Sequence, residues 1–300
     1  MDINSSVVIV GVGEMGSALG GILKKKEIKV DFWDKSIDLV MGQKALAEII
    51  PSVDFLFFCV PSSAMTEAVK SVLPFLSQRT IIISLAKGIE EASKDTMDKL
   101  LEKLLPDNQN FAVLGGPMLA EELSKGMGGV AVVGTKNKIN FEKLSGLFEN
   151  TNLSLEYSGE VRSVALASVL KNIYAIGLGI ADGLEWGENQ KGWLISKSVQ
   201  EMAELMTLLG GKQELIYSPA GLGDLIATGY SSYSSNRKVG EAVAKTGEHL
   251  VSEGSKSLPF ILGSITGKES EFKILPALNK ILLENQNAKI IFGQFFQQSK

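Results

Sequence analysis

The chain holds one cysteine and one histidine among its 300 residues. A single Cys59 allows no disulfide framework, and inside "FLFFCV" it reads as a small hydrophobe of a core strand. The lone His249 sits in the polar stretch "KTGEHLVSEG". One histidine excludes a multi-histidine metal site, no cysteine cluster replaces it, and no metal is expected. If the protein is an enzyme, proton transfer at neutral pH falls to Lys, Asp or Glu. Basic runs are equally scarce. The longest is Lys24–Lys26, and the net charge is −4, so nothing marks a nucleic-acid-binding face. Long uncharged apolar runs are missing too. The best candidate, Val164–Ala181, is interrupted by Lys171, and no membrane span is expected. The opening "MDINSSVVIVGVG" has neither a basic n-region nor a small-residue cleavage site, which points to a cytoplasmic protein.

What is present is an ordinary globular composition, 45% hydrophobic and 21% charged, on a chain long enough for about two domains. The first half alternates strand-like and helix-like segments. Val7–Val10, Val30–Trp33, Phe55–Val60, Thr80–Ser84, Ala112–Leu114 and Val130–Val133 are near-continuous apolar runs, as expected of parallel strands covered on both faces. Helical patterns such as Ala64–Leu76 and Lys94–Leu105 lie between them. That order predicts an α/β fold with an N-terminal Rossmann-like, doubly wound parallel sheet. From about Val161 the pattern turns helical, with Val161–Ala181, Lys191–Leu209, Asn236–Lys245 and Ile274–Glu284 as the clearest segments. The junction is read in "NTNLSLEYSGE", giving a dinucleotide-binding domain over 1–158 and an all-helical domain over 159–300. The tail "AKIIFGQFFQQSK" is apolar enough to pack, on this chain or on a neighbour.

"VVIVGVGEMGSALG" places Gly11, Gly13 and Gly16 in the G-x-G-x-x-G spacing, after a strand and at the opening of a helix. The first glycine permits the tight turn, the second lets a pyrophosphate approach the backbone, and the third lets helix and strand pack closely. Glu14 and Met15, inside the loop, join the cofactor-binding set. Asp34 ends the next strand, 18 residues after Gly16, where an acid accepts from a ribose diol. It would repel a 2′-phosphate and its neighbour Lys35 would attract one. The position of Asp34 favours NAD over NADP.

Five further constellations carry chemistry. "LAKGIE" sets Lys87 just beyond a strand end, at the edge that faces the ligand crevice of an open parallel sheet; a surface lysine in a loop is the plainer reading. "VLGGPMLAEEL" sets Gly115 and Gly116 at a strand-to-helix turn, with room for a ligand or simply for the turn. Asp224 and Thr228 are four apart, on one face if helical. Ser234, Ser235 and Asn236 precede a helical run, where they bind a ligand or cap the helix. Finally, Lys171 and Asn172 stand side by side in the greasy "SVLKNIYAIGLGIADGLEWG", among small neighbours. Alone, Lys171 reads as a snorkelling lysine. An ammonium facing a partly closed cleft loses hydration, and a carboxylate such as Asp224 would hold it charged and oriented.

In order along residues 7 to 254, "GVGEMG", "VPSSAM", "AKGIE", "GGPMLAEE", "LKNIYAIGLGIADGLEWGEN", "GLGDLIAT", "SSNRKVG" and "VSEG" resemble the bacterial NAD(P)-dependent glycerol-3-phosphate dehydrogenases. The resemblance implies a Rossmann domain followed by a helical domain, NAD or NADP as cofactor, and a phosphorylated small-molecule substrate. The reaction implied is reversible hydride transfer between NAD(P)H and dihydroxyacetone phosphate, giving sn-glycerol 3-phosphate for glycerophospholipid synthesis, in a homodimer. Lys171 then matches the proton-transferring lysine, with Asn172 beside it, and Lys87 a lysine that contacts substrate and cofactor. Gly116 matches a substrate contact, and Ala120, Val251 and Glu253 cofactor contacts. Asp224, Thr228 and Asn236 match active-site residues of the second domain. The chain departs from the family at four places. Glu14-Met15 stands for Ser-Trp, Met118 for a substrate-contacting serine and Ser235 for an arginine near the phosphates, with Arg237 or Lys238 as the nearest cations. The connection from Asp34 to Asp54 is also short. These losses keep two other readings open: a 2-keto or hydroxy-acid reductase on the same scaffold, and a non-catalytic NAD(P)-binding redox sensor.

Overall fold

The computed structural model describes residues 5–296. The first four residues of the N-terminal stretch and the last four of the apolar tail lie outside the described residues. The chain divides into two compact units, Met1–Ala165 and Leu166–Lys300.

The first unit is built on a sheet with strands β1 (Ser6–Val10), β2 (Lys29–Trp33), β3 (Phe55–Phe58), β4 (Ile81–Ser84), β5 (Phe111–Gly115), β6 (Gly129–Gly134) and β7 (Leu153–Ser158). Their spatial order is β2-β1-β3-β4-β5-β6-β7. Helices α1 (Glu14–Lys25), α2 (Leu46–Ile49), α3 (Met65–Val72), α4 (Met97–Leu104), α5 (Ala120–Ser124) and α6 (Lys138–Phe148) connect the strands. All residues of β3 and β4 are buried, and so is β1 after Ser6. That burial explains why these strands read as unbroken apolar runs. Val7, Ile9, Leu19, Leu23, Phe57 and Ile83 share one core beneath α1.

Two details refine the expected picture. The sheet is mixed rather than wholly parallel, because β6 runs antiparallel to β5. The link between them contains only α5, five residues long, which rises about 7–8 Å and cannot carry the chain back along the sheet as a parallel crossover requires. The stretch read as the junction contains a strand. Leu153–Ser158 is a strand that pairs in parallel with β6 over its whole length. It is an edge strand whose middle residues are mostly open to solvent, so it lacks the two-sided apolar cover of the others.

The boundary between units falls inside α7 (Val161–Gly183). The second unit continues with α8 (Glu188–Leu208), α9 (Asp224–Tyr230), α10 (Ser235–Thr246), α11 (Glu253–Ser264), α12 (Ile274–Leu282) and α13 (Ala288–Gly293), with no strand among its described residues. By length and hydropathy α7 would pass for a membrane span, yet its apolar window is 100% buried inside the protein. It is a core helix.

Glycines set its closest crossing. A Cβ on Gly179 would lie 2.1 Å from the Arg237 carbonyl oxygen, and one on Gly240 would lie 2.0 Å from that of Ile176. Backbones of α7 and α10 therefore touch directly, which accounts for the helix-weakening Gly179. Gly177 is different: its missing Cβ would find its nearest neighbour at 3.8 Å. Farther along, Glu201 of α8 is buried and acts as the cap of α12. Its carboxylate accepts from the backbone N–H groups of Lys273 (2.6 Å), Ile274 (2.8 Å) and Leu275 (3.1 Å), and from the Tyr174 hydroxyl of α7 (2.9 Å). The described part of the tail packs on its own unit. Phe292, Phe295 and Phe296 stack against Trp186 and Trp193, with centroid distances from 4.9 to 6.5 Å.

Candidate functional site

The glycine loop and the end of β2 form the first cluster. Gly11 has φ +94°, and a Cβ there would lie 2.7 Å from the Cys59 carbonyl oxygen; one on Gly16 would lie 2.0 Å from that of Gly11. Both positions require glycine. Gly13 is the opposite case, with no atom within 4 Å of the missing Cβ. The open face of the loop therefore lies where a ligand backbone would approach, at the N-terminus of the twelve-residue α1. Glu14, the first residue of that helix, is exposed, and Met15 packs against the unit's core.

Asp34 is fixed from several sides. Its Oδ2 accepts from the Val12 N–H at 2.8 Å and its Oδ1 from the Ser36 N–H at 2.9 Å. The Gln43 side chain pairs with both backbone groups of Asp34, accepting at 2.9 Å and donating at 3.0 Å. A cavity of about 360 Å³ opens here, lined among others by Gly11, Gly13, Trp33, Asp34, Lys35 and Glu67. Cys59 lines it too, and burial pushes its thiol up to about 12. Lys35 is exposed and donates to Glu67 Oε1 at 2.7 Å. The loop, the acid at the strand end and the cavity between them fit a dinucleotide's pyrophosphate and adenosine ribose.

At the ends of β4 and β5, Lys87 is half-buried and donates to the Gly116 carbonyl at 2.7 Å. Gly116 has φ +127°, and a Cβ there would meet the Val130 carbonyl oxygen at 2.5 Å. Its glycine is thus explained by the close approach of β6, the plainer of the two readings of that turn. Met118 and Ala120 are both buried in the core cluster of the unit, so an apolar side chain at 118 fills core space.

The second cluster lies wholly in the helical unit. Lys171 of α7 is buried, and its ammonium donates to Asp224 Oδ1 at 3.0 Å and to Thr228 Oγ1 at 2.7 Å. The Thr228 hydroxyl donates in turn to the same Asp224 oxygen at 3.1 Å. Asp224 and Thr228 open and continue α9, one turn apart on one face. A wide π-type turn, Pro219–Gly223, leads into that helix. The Lys171 and Asp224 side chains are only 6% and 3% exposed, so the charge pair is desolvated and closed by three hydrogen bonds.

Beside it, Asn172 Oδ1 accepts from Asn236 Nδ2 at 2.8 Å, and Asn236 Oδ1 accepts from the Gly254 N–H at 2.9 Å. A Cβ on Gly254 would come within 2.4 Å of the Asn172 carbonyl oxygen. The asparagine pair thus locks α7, α10 and α11 around the lysine. Ser234 caps α10 through the Arg237 N–H at 3.2 Å, and Ser235 is exposed in its first turn. Val251 is exposed, and Glu253 begins α11.

Arg237 does not replace the arginine missing at Ser235. Its guanidinium pairs with Asp182 at 2.9 Å and with Glu241 at 3.4 Å. Lys191 holds the other Asp182 oxygen at 2.8 Å. Burial alone would raise the Asp182 carboxyl, but hydrogen bonds from Lys191 and Arg237 outweigh it and hold the group below the usual carboxylate range. Reading the sequence missed Gln43, Glu67, Asp182 and Glu201. For Asp182 the signal was an acid inside an apolar helical stretch; Glu201, in "SVQEMAEL", and Gln43 and Glu67 gave none.

Comparison with known proteins gives a consistent result. Models of the NAD-dependent glycerol-3-phosphate dehydrogenase N-terminus and C-terminus match residues 38–140 and 160–292. A glycerol-3-phosphate dehydrogenase [NAD(P)+] of Fusobacterium nucleatum subsp. nucleatum is 35% identical over 254 residues, 81% of this chain and 75% of that protein. One from Agathobacter rectalis is 30% identical over 317 residues, 95% and 94% of the two chains. Among solved structures, glycerol-3-phosphate dehydrogenase from Coxiella burnetii has the same fold, with TM-score 0.85, 23% identity and coverage of 99% of this chain and 100% of that one. A ketopantoate reductase from Ralstonia eutropha shares the architecture more loosely, with TM-score 0.61, 19% identity and coverage of 96% and 99%.

Proposed function

The chain belongs to the NAD-dependent glycerol-3-phosphate dehydrogenase family, and from that premise we propose that it interconverts dihydroxyacetone phosphate and sn-glycerol 3-phosphate. The observation that carries this reading is Lys171, an ammonium held in an apolar helix by Asp224 and Thr228 at 3.0 and 2.7 Å. When bound, NAD(P) supplies or accepts the hydride. Residues 1–158 serve as the dinucleotide-binding domain: the Gly11–Gly16 loop receives the pyrophosphate and Asp34 the ribose. Residues 159–300 serve as the substrate domain.

Lys171 donates a proton to the substrate oxygen during ketone reduction and removes it in the reverse direction. Asp224 keeps the amine charged until the proton leaves, and Thr228 fixes its direction. Donation to a developing alkoxide in a dry site is strongest when the donor is already oriented, as this one is. Lys87, held on the Gly116 carbonyl at 2.7 Å, contacts the substrate. Asn172 is oriented by Asn236 and contacts the substrate from the same turn of α7. Ser235 and Asn236, in the first turn of α10, meet the phosphate where the helix N-terminus favours an anion.

The remaining features of this reading are a homodimer, a cytoplasmic location and a supply of glycerol phosphate for phospholipid synthesis. Sedimentation velocity giving the mass of one chain would remove the dimer. The test of the reaction is oxidation of NADH and NADPH with dihydroxyacetone phosphate and with a panel of 2-keto acids. Turnover with the phosphate is expected. Turnover with keto acids alone would favour the second reading, motivated by Ser235 in place of an arginine and by an architecture shared with a ketopantoate reductase.

A further inference from the structure

We infer that Glu67 sets the choice between the two dinucleotides, by cancelling the cation on the cavity wall, Lys35, that would welcome a 2′-phosphate. The inference rests on the dinucleotide reading of the first unit and adds to it a residue outside the glycine loop and the strand end. Three charged side chains line the cavity: Asp34, Lys35 and Glu67. Asp34 cannot turn away, because Val12, Ser36 and Gln43 hold its carboxylate and backbone at 2.8–3.0 Å. A 2′-phosphate would arrive at that same strand end, against a fixed negative charge. Lys35 is the cation within reach, and it is already engaged by Glu67 at 2.7 Å.

The two acids and one lysine leave the rim formally at −1, which suits a ribose diol and opposes a phosphate. Glu67 is placed for this by local structure: it sits in the first turn of α3, which follows β3. Its side chain and that of Lys35 are 67% and 76% exposed, so the pair adds little to stability and its loss does not disturb the fold.

The test compares kcat/KM for NADH and NADPH in the wild type, Glu67→Gln, Glu67→Lys, Lys35→Ala and the Lys35→Ala/Glu67→Gln pair. The wild type is expected to favour NADH. Glu67→Gln raises the NADPH:NADH ratio about 3- to 10-fold, Glu67→Lys raises it further, and added salt shrinks both gains. Lys35→Ala on the Glu67→Gln background removes the gain. Folding damage would lower both substrates together and leave the ratio still. A ratio unmoved in both Glu67 variants, a gain that survives loss of Lys35, or a wild type that favours NADPH overturns this inference alone. A wild type that binds neither nucleotide, read directly by fluorescence titration, overturns the dinucleotide reading with it.

Discussion

At the scale of single residues, the Lys171–Asp224–Thr228 ring makes two demands at once. Lys171→Ala removes the proton donor and should lower kcat by about 10²- to 10⁴-fold while nucleotide binding persists. It also strands a buried carboxylate, so it should cost about 3–5 kcal/mol of stability by denaturant titration. The Lys171→Ala/Asp224→Asn double variant separates the two effects: stability should partly return and activity should not. An unchanged kcat in the single variant would remove Lys171 from the chemistry. That Lys171 needs a counter-charge was legible in the sequence, because it is an ammonium inside the apolar "SVLKNIYAIG"; the choice of Asp224 came from the resemblance carried by "GLGDLIAT". The Asn172–Asn236–Gly254 lock was not, since neither asparagine advertises its partner. The orientation of Met118 into the core was equally hidden, because a glycine-rich turn does not say which side its next residue faces.

Helices and strands make their own predictions. Gly240→Ala should destabilise the protein by at least about 1–3 kcal/mol, since the new methyl meets backbone at 2.0 Å and backbone cannot rotate aside. Gly177→Ala on the facing helix should instead be neutral or stabilising by up to about 1 kcal/mol, because the space is there and the helix propensity improves. Thermal unfolding of the two variants side by side checks the contrast.

The Asp182 bridge between α7, α8 and α10 carries a pH signature. Its carboxyl is depressed, so its contribution is present above the ordinary carboxylate pKa and disappears as pH falls through the folded value. Lys191 is raised, chiefly by its hydrogen bond to Asp182, so its share is present below the ordinary lysine pKa and is lost as pH rises through the folded value. Asp182→Asn should therefore cost about 1–2 kcal/mol on a plateau between about pH 5 and 9, with the gap to wild type closing in acid and in strong alkali. A gap unchanged down to pH 2 would contradict the bridge. Element identity was readable where one force dominated, as in the fully covered β1, β3 and β4. It failed for β7, whose exposed Ser154, Glu156 and Tyr157 look like a loop until β6 is known to lie beside them. It also failed for α11, whose Gly254, Pro259 and Gly263 argue against a helix that packing nevertheless maintains.

Over the whole chain, the division into a sheet-based first part and a helical second part followed from the switch in hydrophobic period near Val161. The parallel direction of most strand pairs followed from the two-sided apolar runs; the reversal at β6 did not, and only the brevity of α5 decides it. The tryptophans follow the same division. Trp33 lines the cavity beside Asp34, whereas Trp186 and Trp193 are wedged among the phenylalanines at the end of the chain. The protein thus comes with two built-in lamps in separate rooms. Replacing Trp186 and Trp193 by Phe should leave an emission that NADH dims by energy transfer from Trp33, and replacing Trp33 should leave one whose spectrum reddens when the terminal phenylalanines come loose. Titrating ligand against the first and urea against the second would let each half of the molecule be watched without labelling either.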